Sequence, residues 1–126
     1  MFKDFMLVGM GSFMGGGLRF CISKWLQVLG PDRFPLGTLG VNIVGCFIIG
    51  LLSGLPFNGR FLSPTARMVL TTGFCGGFTT FSTFMKENGQ LITGHDYHFF
   101  VVYLFLSLFL GMVALFAGQH LSRVIA

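Results

Sequence analysis

The chain has 126 residues, of which 53% are hydrophobic and only 10% are charged, and its mean hydropathy is +0.80. Soluble domains carry about 25% charged residues, so this composition predicts a membrane protein. The formal net charge of +4 comes from Lys and Arg residues scattered singly. Because there is no basic cluster of the kind that binds nucleic acid, we expect no nucleic-acid partner.

Four windows of the sequence approach the roughly 20 apolar residues that a helix needs to cross a bilayer. We therefore predict an all-α membrane protein with a single four-helix transmembrane domain over residues 1–126. The expected spans are residues 5–29, 36–55, 65–92 and 98–122. Turn residues separate these spans at 30–32, at 55–59 with 63–64, and at 94–96. The connections leave no room for a soluble domain.

The first span begins with a lysine and an apolar stretch, as a secretory signal does. We expect it to be retained, because the apolar run continues past Arg19. Arg19 is itself a functional candidate, since a charge well inside the bilayer costs at least about 2.5 kcal/mol. In the alternative interpretation, Arg19 extends its charged end to the membrane interface.

Asn42 is the one strongly polar residue inside the second span, TLGVNIVGCFIIGLLSGL. Its amide offers two N–H donors and one acceptor oxygen. It can therefore contact a transported ion, or it can form a hydrogen bond between helices. Both interpretations remain open at this point.

The third span contains the stretch GFCGGFTTFSTF, residues 73–84. Adjacent Gly76 and Gly77 disfavour a helix, and the dense Thr and Ser are unusual in a lipid-facing segment. We predict an interruption of the helix at Gly76–Thr79, whose free carbonyls can bind a cation. Alternatively, Gly73 and Gly77 form a GxxxG packing motif, as do the pairs 11/15 and 50/54.

Phe81 and Phe84 are three residues apart and share a helical face if the helix resumes there. The edge of an aromatic ring carries partial positive charge, so two edges at a narrow passage can contact a small anion. Neighbouring hydroxyls, among them Ser82, supply hydrogen-bond donors. The alternative is that the rings only contact lipid.

The charge distribution predicts no fixed orientation in the membrane. Four spans place four basic residues on each side: Lys3, Arg60, Arg67 and Arg123 against Arg19, Lys24, Arg33 and Lys86. Because the positive-inside rule then gives no bias, the chain can insert in both orientations. Two copies can pair about a two-fold axis in the membrane plane.

Residues with catalytic or metal-binding potential are sparse. The three cysteines show no CxxC pair and no metal-ligand spacing, and we expect them to be small buried side chains: Cys21, Cys46 and Cys75. His95 and His98 lie in a short loop beside Asp96, without a nucleophile or a metal-ligand set. We therefore predict that the chain is not an enzyme.

Three motifs together resemble the Fluc family of small microbial fluoride channels. They are GSFMGGGLRF (residues 11–20), PLGTLGVNIVG (35–45) and GFCGGFTTFSTF (73–84), and they occur in order across the first three spans. The resemblance implies an antiparallel, dual-topology homodimer in the bacterial inner membrane. It also implies passive export of fluoride through two pores, fluoride resistance, and a structural sodium ion at the centre of the dimer.

The resemblance also implies roles for particular residues. Phe81 and Phe84 correspond to the phenylalanines that line each pore, and Asn42 to the amide that donates to fluoride. Gly76 and Thr79 correspond to the residues whose backbone carbonyls hold sodium. The remaining expected roles are a vestibule arginine, an acid after the pore phenylalanines, and polar side chains along the pore: Arg19, Glu87, Thr38, Ser82, Tyr103 and Ser107.

Two positions depart from the family pattern. Met85 stands where the family often has serine, and Lys86 precedes Glu87, so Lys86 either pairs with that acid or faces solvent.

Other functions also stay open. A proton-coupled small four-helix exporter needs a carboxylate inside the membrane, and the first span contains none apart from Asp4 at its edge. A non-transporting interaction subunit would need only the glycine-rich faces.

Overall fold

The computed structural model describes residues 1–56 and 62–125, and these residues form helices and turns without any β-strand. Residues 57–59 of the predicted second turn, and Arg60, lie outside the described part. The helical elements are α1 (Phe2–Gln27), α2 (Leu36–Ser53), α3 (Pro64–Met68), a π-helical segment (Val69–Cys75), α4 (Gly76–Phe78), α5 (Ser82–Thr93) and α6 (Tyr97–Ile125).

Three helices in the described part of the chain are long and apolar enough to cross a membrane: α1, α2 and α6. With the composition, they identify a membrane protein. The region predicted as the third span is divided into α3, the π-helical segment, α4 and α5. Each of these pieces is too short to cross a membrane alone, since the longest of them, α5, has 12 residues.

Glycines allow the helices to approach closely where α1 crosses the π-helical segment and α4. A Cβ atom on Gly15 would overlap the carbonyl oxygen of Phe74, and one on Gly11 would lie 2.7 Å from the carbonyl oxygen of Val69. Ser12 strengthens the crossing, since its hydroxyl donates to the Gly73 carbonyl at 3.1 Å. The crossing holds the segment before Thr79 against α1.

Polar contacts fix both ends of α2. At its start, the Gln27 side chain donates to the Phe34 carbonyl at 2.7 Å and accepts from the Gly37 N–H at 3.1 Å. At its end, the Arg67 guanidinium donates to the carbonyls of Leu52 and Pro56 at 2.8 and 2.9 Å. These contacts position the helix that carries Thr38 and Asn42.

The prediction that all three cysteines are buried is wrong for one of them. Cys75 is buried and Cys46 is partly buried, but Cys21 is exposed. The reason is that α1 turns one apolar face away from the rest of the subunit, so that Phe13 and Phe20 are also exposed. In a membrane protein such a face contacts lipid or another subunit.

Candidate functional site

Helical geometry ends at Phe78, and the next helix begins at Ser82. Thr79 between them is extended, with φ −93° and ψ 162°. Of the residues in the predicted interruption, Gly76–Thr79, Thr79 is thus extended, whereas Gly76 and Gly77 have helical geometry. Gly77 is needed for packing, because a Cβ atom there would lie 2.5 Å from the Ser12 carbonyl oxygen. The packing alternative therefore accounts for Gly77.

Asn42 binds the backbone of Thr80 with both ends of its amide. Its Nδ2 donates to the Thr80 carbonyl at 3.0 Å, and its Oδ1 accepts from the Thr80 N–H at 2.8 Å. In a continuous α-helix that N–H would donate to the carbonyl four residues earlier, which is Gly76. Asn42 thus takes the helical donor away from the Gly76 carbonyl.

The hydroxyl of Thr80 has the same effect one turn later. Thr80 Oγ1 accepts from the Thr83 N–H at 3.2 Å, the bond that a helix N-cap makes. In a continuous helix this N–H would donate to the Thr79 carbonyl. The Thr79 hydroxyl, for its part, donates to the Cys75 carbonyl one helical turn earlier, at 2.8 Å. The carbonyls of Gly76 and Thr79 therefore lose their helical donors.

Arg19 reaches the same region from α1. Its Nε donates to the Gly77 carbonyl at 3.0 Å, and the contact is partly buried. A positive charge is favourable there, because the last carbonyls of a helix carry partial negative charge. The structure thus places Arg19 against the end of α4.

A groove of about 400 Å³ opens beside this interruption. It brings together five of the predicted site residues: Asn42, Thr79, Phe81, Phe84 and Ser107. The remaining lining residues are Thr80 and residues of α2 and α6: Gly45, Cys46, Ile49, Leu108, Gly111, Met112 and Leu115. The groove is therefore largely apolar, with a few polar groups in its lining.

Two phenylalanines and one hydroxyl in the lining have properties that bear on a ligand. The rings of Phe81 and Phe84 have centroids 6.0 Å apart, and Phe84 is 6% exposed whereas Phe81 is 73% exposed. Ser107 Oγ is buried and has no hydrogen-bond partner among the described residues. This hydroxyl can donate to a ligand in the groove.

Glu87 links α5 to α2 and α6. Its Oε1 accepts from the Tyr103 hydroxyl at 2.9 Å, and its Oε2 accepts from the Thr38 hydroxyl at 3.0 Å. The Tyr103 ring also packs against Phe84, with centroids 5.1 Å apart. Because both hydroxyl protons point to the carboxylate, neither is available to an anion while these bonds persist.

Lys86 does not pair with Glu87. It is exposed, and the salt bridge found within residues 1–56 and 62–125 joins Arg33 to Asp96 at 2.8 Å. The other predicted site residues do not line the groove. Arg19, Thr38, Glu87 and Tyr103 make the contacts given above, and Ser82 and Gly76 are exposed. The structure thus gathers Asn42 and the two phenylalanines at one site but leaves these two apart.

Sequence reasoning missed two features of this site. The Asn42–Thr80 pairing joins residues 38 positions apart, and no local pattern predicts it. Asn88 is buried, and its Nδ2 donates to the Phe84 carbonyl at 2.9 Å. A signal for Asn88 was present, since it is an amide one helical turn after Phe84.

No cluster of His, Cys, Asp or Glu able to hold a metal occurs in the described part.

Comparison with known proteins identifies the family of the chain. A family model described as "CrcB-like protein, Camphor Resistance (CrcB)" matches residues 6–119. The chain belongs to the CrcB/Fluc family. This membership confirms the resemblance that the three sequence motifs predicted.

Relatives of the chain within the CrcB/Fluc family match along nearly their whole length. The protein named "Fluoride-specific ion channel FluC" of Chlorobium phaeobacteroides (strain BS1) is 41% identical over 119 residues, which cover 94% of this chain and 92% of that protein. Proteins of the same name from Chlorobium chlorochromatii (strain CaD3) and Azobacteroides pseudotrichonymphae genomovar. CFP2 are 42% and 40% identical, over 96% and 98% of this chain and 93% and 98% of theirs. Because these relatives are named as ion channels, the chain belongs to a non-enzymatic family, as predicted.

Proposed function

We propose that the chain is a fluoride-selective channel through which cytoplasmic fluoride leaves the cell passively. The observation that carries this proposal is the groove that places the Asn42 amide, the Phe81 and Phe84 rings and the Ser107 hydroxyl around one space. The printed name of the relatives, "Fluoride-specific ion channel FluC", supports the same function.

The chemistry of these groups suits a small, strongly hydrated anion. A selective path must replace the water around fluoride with converging donors while holding the ion weakly enough to release it. Asn42 Nδ2 uses one N–H for the Thr80 carbonyl, which leaves the second for fluoride. The Ser107 hydroxyl and the positive ring edges of the two phenylalanines supply the other contacts.

We propose that a second, antiparallel copy completes each pathway. Phe81 lines the groove and is 73% exposed on the single subunit, and a channel wall is needed there to exclude lipid. The equal division of basic residues favours insertion in both orientations. Two such copies form a homodimer with two pores in the bacterial inner membrane, where export confers fluoride resistance.

A structural sodium ion fits the carbonyls of Gly76 and Thr79. Neither carbonyl keeps its helical donor, because Asn42 and the Thr80 hydroxyl take the N–H groups of Thr80 and Thr83. Freed carbonyls at membrane depth need a partner, and carbonyl oxygens suit a hard cation. Gly76 is exposed on the subunit, so that two copies can supply two carbonyls each. When bound, the ion supplies fixed positive charge near the anion path.

The second candidate function is a proton-coupled four-helix exporter. Glu87 is the observation that favours it, because its carboxylate lies between α2 and α6 and accepts two hydroxyl hydrogen bonds. A carboxylate inside a membrane protein is a candidate proton carrier. The Asn42 amide and the two phenylalanines have no defined task in that mechanism.

Fluoride efflux from liposomes containing the purified protein separates these functions. Chloride-loaded liposomes are the selectivity control, and a proton gradient is imposed or removed in parallel samples. A passive channel gives rapid efflux of fluoride but not chloride, at a rate independent of the proton gradient. Efflux that requires the gradient would support the exporter, and no efflux of either anion would reject both functions.

A further inference from the structure

We infer that Asn88 is a further positioning residue of the pathway, which holds a water molecule where fluoride regains its hydration; this inference rests on the proposed channel function. Asn88 is 4% exposed and lies on α5, one helical turn beyond Phe84. Nothing in the family resemblance assigned it a role. Two observations on its amide lead to this inference.

The first observation is the direction of the amide. Asn88 Nδ2 donates to the Phe84 carbonyl at 2.9 Å. A flipped amide would place two oxygen atoms against each other, so the hydrogen-bond network fixes this orientation. Oδ1 is thus the atom that points away from Phe84.

The second observation is that Oδ1 is buried and has no hydrogen-bond partner among residues 1–56 and 62–125. In folded proteins nearly all buried polar atoms are satisfied by protein groups or by ordered water. An apolar side chain would fill this position without leaving an unsatisfied oxygen. The amide therefore indicates a partner that donates a hydrogen bond to Oδ1.

The chemistry of an amide oxygen decides which partner is suitable. Oδ1 accepts hydrogen bonds and cannot bind fluoride, which is also an acceptor. A water molecule has two protons, so it can donate one to Oδ1 and the other to an anion. Asn88 thus acts on the ion through water.

Asn88 does not line the groove, but it lies one helical turn beyond Phe84, the last residue of α5 that does, and this place fits a rehydration site. It follows Phe84, whose ring packs against Tyr103 with centroids 5.1 Å apart. It also follows Glu87, which accepts the hydroxyl protons of Tyr103 and Thr38. An ion that has passed the phenylalanines finds no free hydroxyl donor at Tyr103 or Thr38. A water on Asn88 supplies a donor at that point.

The test compares fluoride efflux from liposomes for the wild type and the Asn88→Leu, Asn88→Ser and Gln90→Leu variants. Leu removes the acceptor and fills the space, whereas Ser keeps an oxygen and leaves room for water. Gln90→Leu is the matched control, since it changes an exposed amide two residues away on the same helix. Wild-type efflux is measured first, so failure of the channel function itself is recognised separately.

We expect Asn88→Leu to lower fluoride efflux about fivefold, the effect of one hydrogen bond, while Asn88→Ser and Gln90→Leu stay within about twofold of the wild type. Thermal unfolding of each variant separates this from a structural role, because a loss of efflux at an unchanged unfolding midpoint is not caused by destabilisation. Wild-type efflux in a folded Asn88→Leu variant would overturn the inference. If that variant does not fold, the Asn88→Ala and Asn88→Ser pair replaces it, and equal efflux in these two would overturn the inference.

Discussion

Replacing Asn42 with Asp removes the Nδ2 donor while keeping the size of the side chain. The Thr80 N–H keeps its acceptor, but a carboxylate oxygen now faces the Thr80 carbonyl oxygen across a contact that is 3.0 Å in the wild type. Leaving that carbonyl unsatisfied costs about 1–3 kcal/mol. We therefore expect a measurable loss of stability in a protein that still folds.

The new charge has a larger effect on the anion than on the fold. A unit negative charge about 6 Å from an anion, at an effective dielectric constant of about 20, raises its free energy by about 3 kcal/mol. Fluoride occupancy beside residue 42 then falls about a hundredfold. We expect fluoride efflux from Asn42→Asp liposomes to fall by a similar factor, while the protein elutes in the same assembly state.

Gln119→Glu is the matched control for this charge change. Gln119 donates to the Ser53 hydroxyl at 3.1 Å, and Ser53 lies about 16 Å of helical rise beyond Asn42 on α2. We expect its efflux to stay within about tenfold of the wild type, because at the same effective dielectric constant of about 20 a charge about 16 Å away raises the free energy of the anion by only about 1 kcal/mol. Efflux from folded Asn42→Asp at the level of Gln119→Glu would refute the placement of Asn42 beside the ion.

Three further changes test other parts of the site. Phe81→Ile removes the positive ring edge and should abolish fluoride efflux without changing assembly; retained efflux would remove Phe81 from the pore. Gly15→Ala places a methyl group on the Phe74 carbonyl and should lower the thermal unfolding midpoint, whereas Gly17→Ala, with nothing within 4 Å of its Cβ, should not; equal midpoints would contradict the close crossing. Exchanging sodium for a large organic cation should lower the midpoint, and Thr80→Val should remove this sodium dependence by freeing the Thr83 N–H for the Thr79 carbonyl. A wild-type unfolding midpoint that does not change when sodium is replaced would argue against the proposed cation site.

The sequence predicted the parts of the site that depend on local pattern. Apolar length located α1, α2 and α6, and the three-residue spacing of Phe81 and Phe84 placed the two rings side by side. Asn42 was identified because an amide is rare inside an apolar span. These features depend on residues close together in the chain.

The parts that were not predicted depend on contacts between distant residues. The interruption was predicted at Gly76–Thr79, in part because adjacent glycines disfavour a helix, yet Gly76 and Gly77 are helical and Gly77 packs against Ser12. The non-helical residues lie after Phe78, where the side chains of Asn42 and Thr80 accept the backbone N–H groups of Thr80 and Thr83. The exposure of Cys21 likewise depends on which face of α1 packs within the subunit.

The reversal potential of the current carried by the reconstituted protein tests the central claim most directly. It is measured in a planar bilayer with a fluoride gradient across the membrane, first at equal pH and then with a pH difference. A passive fluoride channel predicts a reversal potential equal to the fluoride equilibrium potential, unchanged by the pH difference and by a chloride gradient. A potential that shifts with pH would contradict the channel and support proton coupling, with Glu87 as the candidate carrier.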